Sequence, residues 1–213
     1  HNANLRATDA KTQALIATLK ERQRQTGSPW LSAHLDQHTD DEIYDLLVKG
    51  HRPPQYDPEQ SFEMVCRAAR TVAGNLSVPL LLENVEHWPL PETDIAVMPD
   101  FIARVLVGTG CGFLLDTAHA NVTAHRLNLN VRTYIADLPL DKVVEIHVCG
   151  TTFDGERVID SHEPLQDEDY DLLAWLLRLT TPSVVTLEYG KDARQVPAQI
   201  ARLNRIITQA STA

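Results

Sequence analysis

KVVEIHVCG, residues 142–150, is the stretch whose reading decides the fold. Alternation along a strand puts Glu145, His147 and Cys149 on one face and Val144, Ile146 and Val148 on the other. A strand that is wholly apolar on one face and ionisable on the other suits a barrel wall. The apolar face packs on helices, and the polar face looks into a narrow interior. Burying such groups alone is costly, and carboxylates and imidazoles gathered at one end of a parallel sheet are best compensated by bound cations.

The same design recurs on either side. PLLLENV at 79–85 carries Glu83 on the face of Leu81, CGFLLDTAH at 111–119 ends in Asp116 and His119, and SVVTLEYG at 183–190 carries Glu188 on the face of Thr186 and Val184. WLSAHL at 30–35 ends at His34, and a polar loop beyond Gly150 carries Asp160 and His162. Helical patterns fill the intervals. Residues 8–26 keep Leu15, Ile16 and Leu19 at helical spacing behind Thr8 or Asp9 as N-cap, and 58–76 opens with proline in its first turn. Residues 98–110 form a helix closed by glycine, with further helices at 131–137, 167–179 and 195–211. Apolar strands alternating with helices predict an α/β fold, a TIM-type (β/α) barrel forming a single domain over 1–213. Five strands are clear where a closed barrel has eight, and the chain opens on His1 without an initiator methionine. One or two N-terminal βα units are therefore expected to be missing from this chain.

Composition narrows the function. The net charge of −10 argues against a nucleic-acid partner, which needs a basic surface to displace counterions. No apolar run approaches the ~18 residues of a membrane span, and no signal peptide opens the chain. The expected location is the cytoplasm. Cys66, Cys111 and Cys149 lack CxxC spacing and read as buried free thiols in a reducing compartment.

Taken singly, each ionisable strand end has an ordinary reading. His34 could be a packed histidine, Glu83 a cap of the next helix, Asp116 with His119 an Asp-His hydrogen bond in a turn, Asp160 with His162 an Asx turn on a solvated loop, and Glu188 a partner for Lys191 or Arg194. Taken together, every clear strand end would need its own coincidence. The joint pattern predicts an enzyme centre with more than one metal ion. Mixed nitrogen and oxygen donors without cysteine suit Fe, Mn or Zn. Glu145, facing with His147, is expected to orient an imidazole, and Asn84 to hydrogen-bond the site. His38, His51, His87 and His125 read as surface loop residues, and Trp88 as a packing residue or the floor of a groove.

The series His34, Glu83, Asp116-x-x-His119, His147, Asp160-x-His162 and Glu188 resembles the three-metal site of the xylose-isomerase-like barrel superfamily, which includes the endonuclease IV type of abasic-site nuclease. The wording SAHL, PLLLENV, GCGFLLDTAHANV, LPLDKVVEIHVCG and VIDSHEP is similar to the multinuclear non-haem iron-dependent oxidative enzymes, the family of the methanobactin-biosynthesis oxidase. The resemblance implies that Glu83 bridges two ions, that Asp116, His147 and Glu188 complete one, and that His34 with an upstream histidine, at the place of His1, completes the second. His119, Asp160 and His162 would hold the third. It also implies iron as the metal, O₂-dependent modification of cysteine in a peptide substrate, and a separate partner protein that delivers the peptide. Many oxidative members carry Asn where this chain has His119, and histidine there is the nuclease-type choice. A metal-dependent phosphodiesterase is accordingly the second expectation. A sugar isomerase or epimerase is the third, weakened because Lys142 and Lys191 lie off the inward strand faces. An inactive scaffold comes last.

Overall fold

A computed structural model describes residues 9–90 and 94–210. The chain divides into two units, residues 1–113 and 114–213.

In the first unit, helix α1 (Asp9–Thr26) buries Ile16 and Leu19, two of the positions the helical spacing selects. Strand β1 (Leu31–Leu35) alternates buried and half-buried residues, whereas β2 (Leu80–Asn84) is buried along its whole length. The two pair in parallel, with His34 opposite Glu83 and Leu35 opposite Asn84. Between them lie α2 (Asp40–Lys49) and α3 (Pro58–Ala73). Asp57 caps α3 by accepting a hydrogen bond from the Gln60 N–H, one residue ahead of the proline that opens the first turn. Helix α4 (Pro99–Thr109) ends on Gly110, whose φ of 72° is a left-handed cap conformation that disfavours a side chain. Val65, Ala69 and Val72 of α3, Leu82 of β2, and Ile102 and Val105 of α4 are fully buried and form this unit's core.

Helix α2 is an element the sequence reading did not include; Tyr44, Leu47 and Val48 are exposed and Ile43 is its one buried residue. Its signature is instead local, a capping box. The Thr39 hydroxyl accepts from the Glu42 N–H at 3.2 Å, and the Glu42 carboxylate accepts from the Thr39 N–H at 2.7 Å. A helix with so little buried surface depends on that cap. Thr39→Ala is expected to destabilise the first unit by about 1 kcal/mol in a denaturant titration, with the loss confined to α2 in hydrogen exchange.

Strand β3 (Gly112–Asp116) straddles the boundary and leads into the second unit. There follow α5 (Thr117–Arg126), α6 (Val131–Ala136), β4 (Val143–Val148), β5 (Gly150–Phe153), β6 (Val158–Glu163), α7 (Asp167–Leu176), β7 (Val184–Leu187) and α8 (Val196–Ala210). β4 and β7 pair in parallel with His147 opposite Thr186, and the Glu188 N–H donates to the Val148 carbonyl at 2.9 Å just beyond the last paired residues. Leu114, Leu115, Ile135, Ile146, Leu173 and Leu176 are fully buried.

Two local features differ from the sequence reading. The strand expected to run to His119 stops at Asp116, which caps α5 by accepting from the His119 N–H at 2.8 Å. The expected polar loop after Gly150 is an antiparallel hairpin, β5 on β6, with a register irregularity between Gly150 and Thr151. Its turn is Asp154-Gly155-Glu156-Arg157, in which the Asp154 carboxylate accepts from the N–H groups of Glu156 and Arg157. An Asp-Gly pair flanked by β-formers is a hairpin signal, and here it was outweighed by the polarity of the segment.

Candidate metal centre

In the second unit, strand alternation carries Glu145 and His147 onto one face of β4, as the period-2 pattern requires. The His147 Nε2–H points at Glu145 Oε1 at 3.3 Å, and the same oxygen accepts from the Thr186 hydroxyl at 2.5 Å. With Nε2 so occupied, Nδ1 turns the other way. It lies 2.7 Å from Glu188 Oε1 and 4.0 Å from Asp116 Oδ2. Asp116 divides its oxygens, Oδ1 serving the α5 cap and Oδ2 facing the imidazole. The Thr117 hydroxyl donates to the His147 carbonyl at 3.1 Å, tying the start of α5 to the end of β4.

The hairpin brings a second cluster to Glu188. His162 Nε2 lies 3.2 Å from Glu188 Oε2, and His162 Nδ1 lies 3.5 Å from Asp160 Oδ1. His119, in the first turn of α5, puts Nε2 3.5 Å from Asp160 Oδ2. His162 holds φ at 49°, a left-handed conformation uncommon outside glycine and frequent where a side chain is aimed for function. The Asn121 amide donates to the Thr151 hydroxyl at 3.2 Å, holding α5 against the hairpin.

Electrostatics agree with the geometry. Burial alone would raise the Asp160 carboxyl, but the imidazoles of His119 and His162 outweigh it and hold the group at about 2. Burial likewise raises Glu188, and His147, His162 and His119 together bring it below the usual carboxylate range. These are ionised carboxylates held among imidazole nitrogens. Neighbouring donors on an ion with bonds of about 2.0–2.1 Å stand roughly 3.0–3.4 Å apart, a spacing that falls inside the 2.7–4.0 Å range found here. The donor set fits metal ions. Asp116, His147 and Glu188 form one candidate group, and His119, Asp160 and His162 another, with Glu188 reaching both.

Cys149 joins the second group. Its thiol donates to Asp160 Oδ1 at 3.3 Å, and Cys149, Asp160 and His162 each offer a ligand atom within 4.8 Å of the others. The sequence reading left cysteine out of the donor set. The signal was present in the alternation of β4, which puts Cys149 on the face of His147, but the folding back of Asp160 was not legible.

Because Glu145 holds His147 through its Nε2–H, Glu145→Ala is expected to weaken metal binding about 10–100-fold without removing a ligand. Competition against a chelator of known affinity measures this.

The first unit holds His34, Glu83 and Asn84 of the expected set. His34 Nε2 lies 3.7 Å from Glu83 Oε2 across the β1–β2 ladder, and Asn84 is fully buried. His1 lies outside the described residues. A buried polar network that the sequence reading missed follows β1. Asp36 accepts from the His38 N–H at 2.7 Å and from the Trp88 indole at 2.9 Å. Burial and the charge of Asp94 push Asp36 up to about 7. Asp94 accepts from the Gln37 amide at 2.7 Å and stands 3.8 Å from His38 Nε2, and Gln37 in turn accepts from Ser61. His38 and His87, read from sequence as surface residues, are 3% and 5% exposed. His87 is fixed between the Trp88 carbonyl and the Asp94 N–H, and His38 packs by the Tyr56 ring. A position in a loop implies exposure, whereas these loops fold over their own histidines. His51 and His125 are exposed as expected. A cavity of about 840 Å³ adjoins this network, with His38, Arg52, Tyr56, Leu90, Asp94 and Met98 in its wall.

Among solved structures, the chain is similar to a 3-keto-D-glucoside 4-epimerase from E. coli, with a TM-score of 0.59 at 14% identity over 98% of this chain and 76% of that one. It is equally similar to a xylose isomerase-like TIM barrel protein from Mycobacterium smegmatis in complex with magnesium, with a TM-score of 0.59 at 16% identity over 94% and 68% of the two chains. At such identities the likeness concerns the fold, which is α/β of the xylose-isomerase-like TIM-barrel type. A UPF0276 protein of Bordetella bronchiseptica is 30% identical over 200 residues, 90% of this chain and 67% of the relative. One from Caulobacter vibrioides is 28% identical over 147 residues, 68% of this chain and 52% of the relative, so the chain spans about half to two thirds of the curated relatives it matches. Among the described residues no helix is long and apolar enough to cross a membrane. The family model described as "RiPP precursor modification enzyme MbnB/TglH/ChrH" matches residues 3–211, and with these motifs and strand ends the chain belongs to that family of peptide-modifying enzymes.

Proposed function

We propose that the chain is a metal-dependent oxidase that modifies cysteine in a precursor peptide, with iron as its metal and O₂ as its oxidant. The observation that carries this reading is the cluster of three carboxylates and three imidazoles in the second unit, with separations of 2.7–4.0 Å, in a chain of a peptide-modifying family. Asp116, His147 and Glu188 would hold one ion, and His119, Asp160 and His162 another. In the first unit, His34 and Glu83 carry the same donor chemistry and are proposed as further ligands on the resemblance alone, as is His1. Bound iron supplies the one-electron and O₂ chemistry that amino-acid side chains lack.

The chain's own residues supply position and charge. With an ion bound, Glu145 would hold the proton of His147 on Nε2 and leave the Nδ1 lone pair for the metal. Glu188 and Asp160 stay ionised and concentrate negative charge where cations are needed. The cavity wall in the first unit, with tyrosine, leucine and methionine beside Arg52, has the mixed character of a peptide-binding surface. A separate protein that delivers the peptide completes the proposal.

The test is protein loaded anaerobically with Fe(II), then given O₂ and a cysteine-containing precursor peptide. Oxygen consumption coupled to a mass change at cysteine is the expected result, and its absence with every such peptide rejects the oxidase. Histidine at position 119 favours one rival, phosphodiester hydrolysis, because it gives the third position a further nitrogen donor. Cleavage of an abasic duplex with Zn or Mn would establish that rival.

A further inference from the structure

We infer that Cys149 is a thiolate ligand of the metal position formed by Asp160, His162 and His119. The inference rests on the reading of those three residues as a metal position and adds a donor of a different class. Cys149 is the single residue between β4 and β5, so its side chain continues the face of His147 and Glu145. Gly150 then turns the chain onto the backbone of Glu163 and Pro164, and the hairpin returns Asp160 beneath the sulfur.

Distances support a shared ion. Metal–sulfur bonds of about 2.3 Å and metal–nitrogen or metal–oxygen bonds of about 2.0–2.1 Å, at tetrahedral angles, separate sulfur from oxygen by about 3.5 Å and nitrogen from oxygen by about 3.4 Å. Cys149 Sγ lies 3.3 Å from Asp160 Oδ1, and His162 Nδ1 lies 3.5 Å from the same oxygen. His119 Nε2 lies 3.5 Å from the other carboxylate oxygen.

The thiol already donates to Asp160 Oδ1, so displacement of that proton by a bound cation would leave sulfur and carboxylate as neighbouring donors on one ion. A redox role for the thiol has less support, because Cys149 is 2% exposed and unpaired with either other cysteine. A thiolate would also make this position selective. Sulfur favours Fe(II), Co(II) and Zn(II) over Mn(II) and Mg(II), whereas the Asp116, His147 and Glu188 group carries only nitrogen and oxygen.

Cobalt(II) titrated anaerobically into the metal-free protein tests the inference, with Cys149→Ser and Cys149→Ala alongside. Wild type should develop a near-ultraviolet thiolate-to-cobalt charge-transfer band. Both variants should lack it, bind cobalt at least tenfold more weakly at that position, and keep cobalt elsewhere. X-ray absorption at the zinc edge of wild-type protein needs no variant, and should find a sulfur neighbour at about 2.3 Å. Cobalt bound without the band, a band that survives in Cys149→Ser, or a zinc shell without sulfur overturns the thiolate and leaves the metal centre standing. A wild-type protein that binds no cobalt overturns both.

Discussion

Glu188→Ala is expected to empty both metal positions of the second unit and to lower peptide turnover more than about 100-fold, beyond the 10–100-fold typical of a residue that only orients a ligand. The reason lies in how its two oxygens are used. Oε1 stands 2.7 Å from His147 Nδ1 and Oε2 stands 3.2 Å from His162 Nε2, so one carboxylate serves both clusters. The backbone holds it there, because the Glu188 N–H continues the β4–β7 ladder onto the Val148 carbonyl. Removing the side chain strips a negative charge from two groups of imidazoles at once, and water is a weaker donor in its place. Glu188→Gln separates charge from shape. It keeps the volume and one carbonyl acceptor, and its metal content should fall nearly as far, because an amide cannot neutralise a bound cation. Elemental analysis of both variants, with circular dichroism to establish folding, reads the outcome. Full metal content in folded Glu188→Ala would sink the ligand assignment for this unit.

How much of this was legible before the structure depended on the range of the signal. Period-2 alternation in residues 142–150 put Glu145 and His147 on one face of β4, where they meet, and the burial of Ile146 and Val148 holds that register. The apolar run of β2, buried along its whole length, located Glu83 for the same reason, whereas Glu188 was located by the apolar composition of β7, a strand that is itself only half-buried. Elements with little burial were harder to read. Helix α2 buries one residue and rests on its capping box, and hairpin β5–β6 exposes Phe153 and half-exposes Ile159. What no pattern in the sequence could supply was the return path of the chain. The approach of Asp160 to Cys149 depends on a turn at 154–157 and a close backbone contact at Gly150. The burial of His38 and His87 depends on Asp94, whose N–H donates to His87 and whose carboxylate stands 3.8 Å from His38 Nε2, tens of residues away in sequence.

Gly150→Ala should be the most damaging one-carbon change in the second unit. A Cβ at this position would meet the Pro164 carbonyl oxygen in overlap, and would stand 2.8 Å from the Glu163 oxygen and 3.0 Å from the Glu163 carbonyl carbon. All three are backbone atoms, so no side chain can rotate away to relieve the contact. The hairpin itself must shift, and Glu163 is the last residue of the strand that carries Asp160 and His162. Overpacking of this kind costs about 1–3 kcal/mol, and contact with the backbone of two consecutive residues places Gly150→Ala near the upper end. For a chain of this size that is a fall in Tm of about 6–12 °C. The functional loss should exceed the loss of stability, because a displacement of a few tenths of an ångström moves Asp160 and His162 together. The expected result at a temperature where the variant is folded is loss of the metal held by Asp160, His162 and His119, with retention of metal at Asp116, His147 and Glu188. Gly190→Ala is the matched control. It also follows a strand of this unit, and its added Cβ meets nothing within 4 Å. Its stability should stay within about 0.5 kcal/mol of wild type or rise slightly through the unfolded chain. Equal stability and equal metal content in the two variants would show that the hairpin does not hold the third position in place.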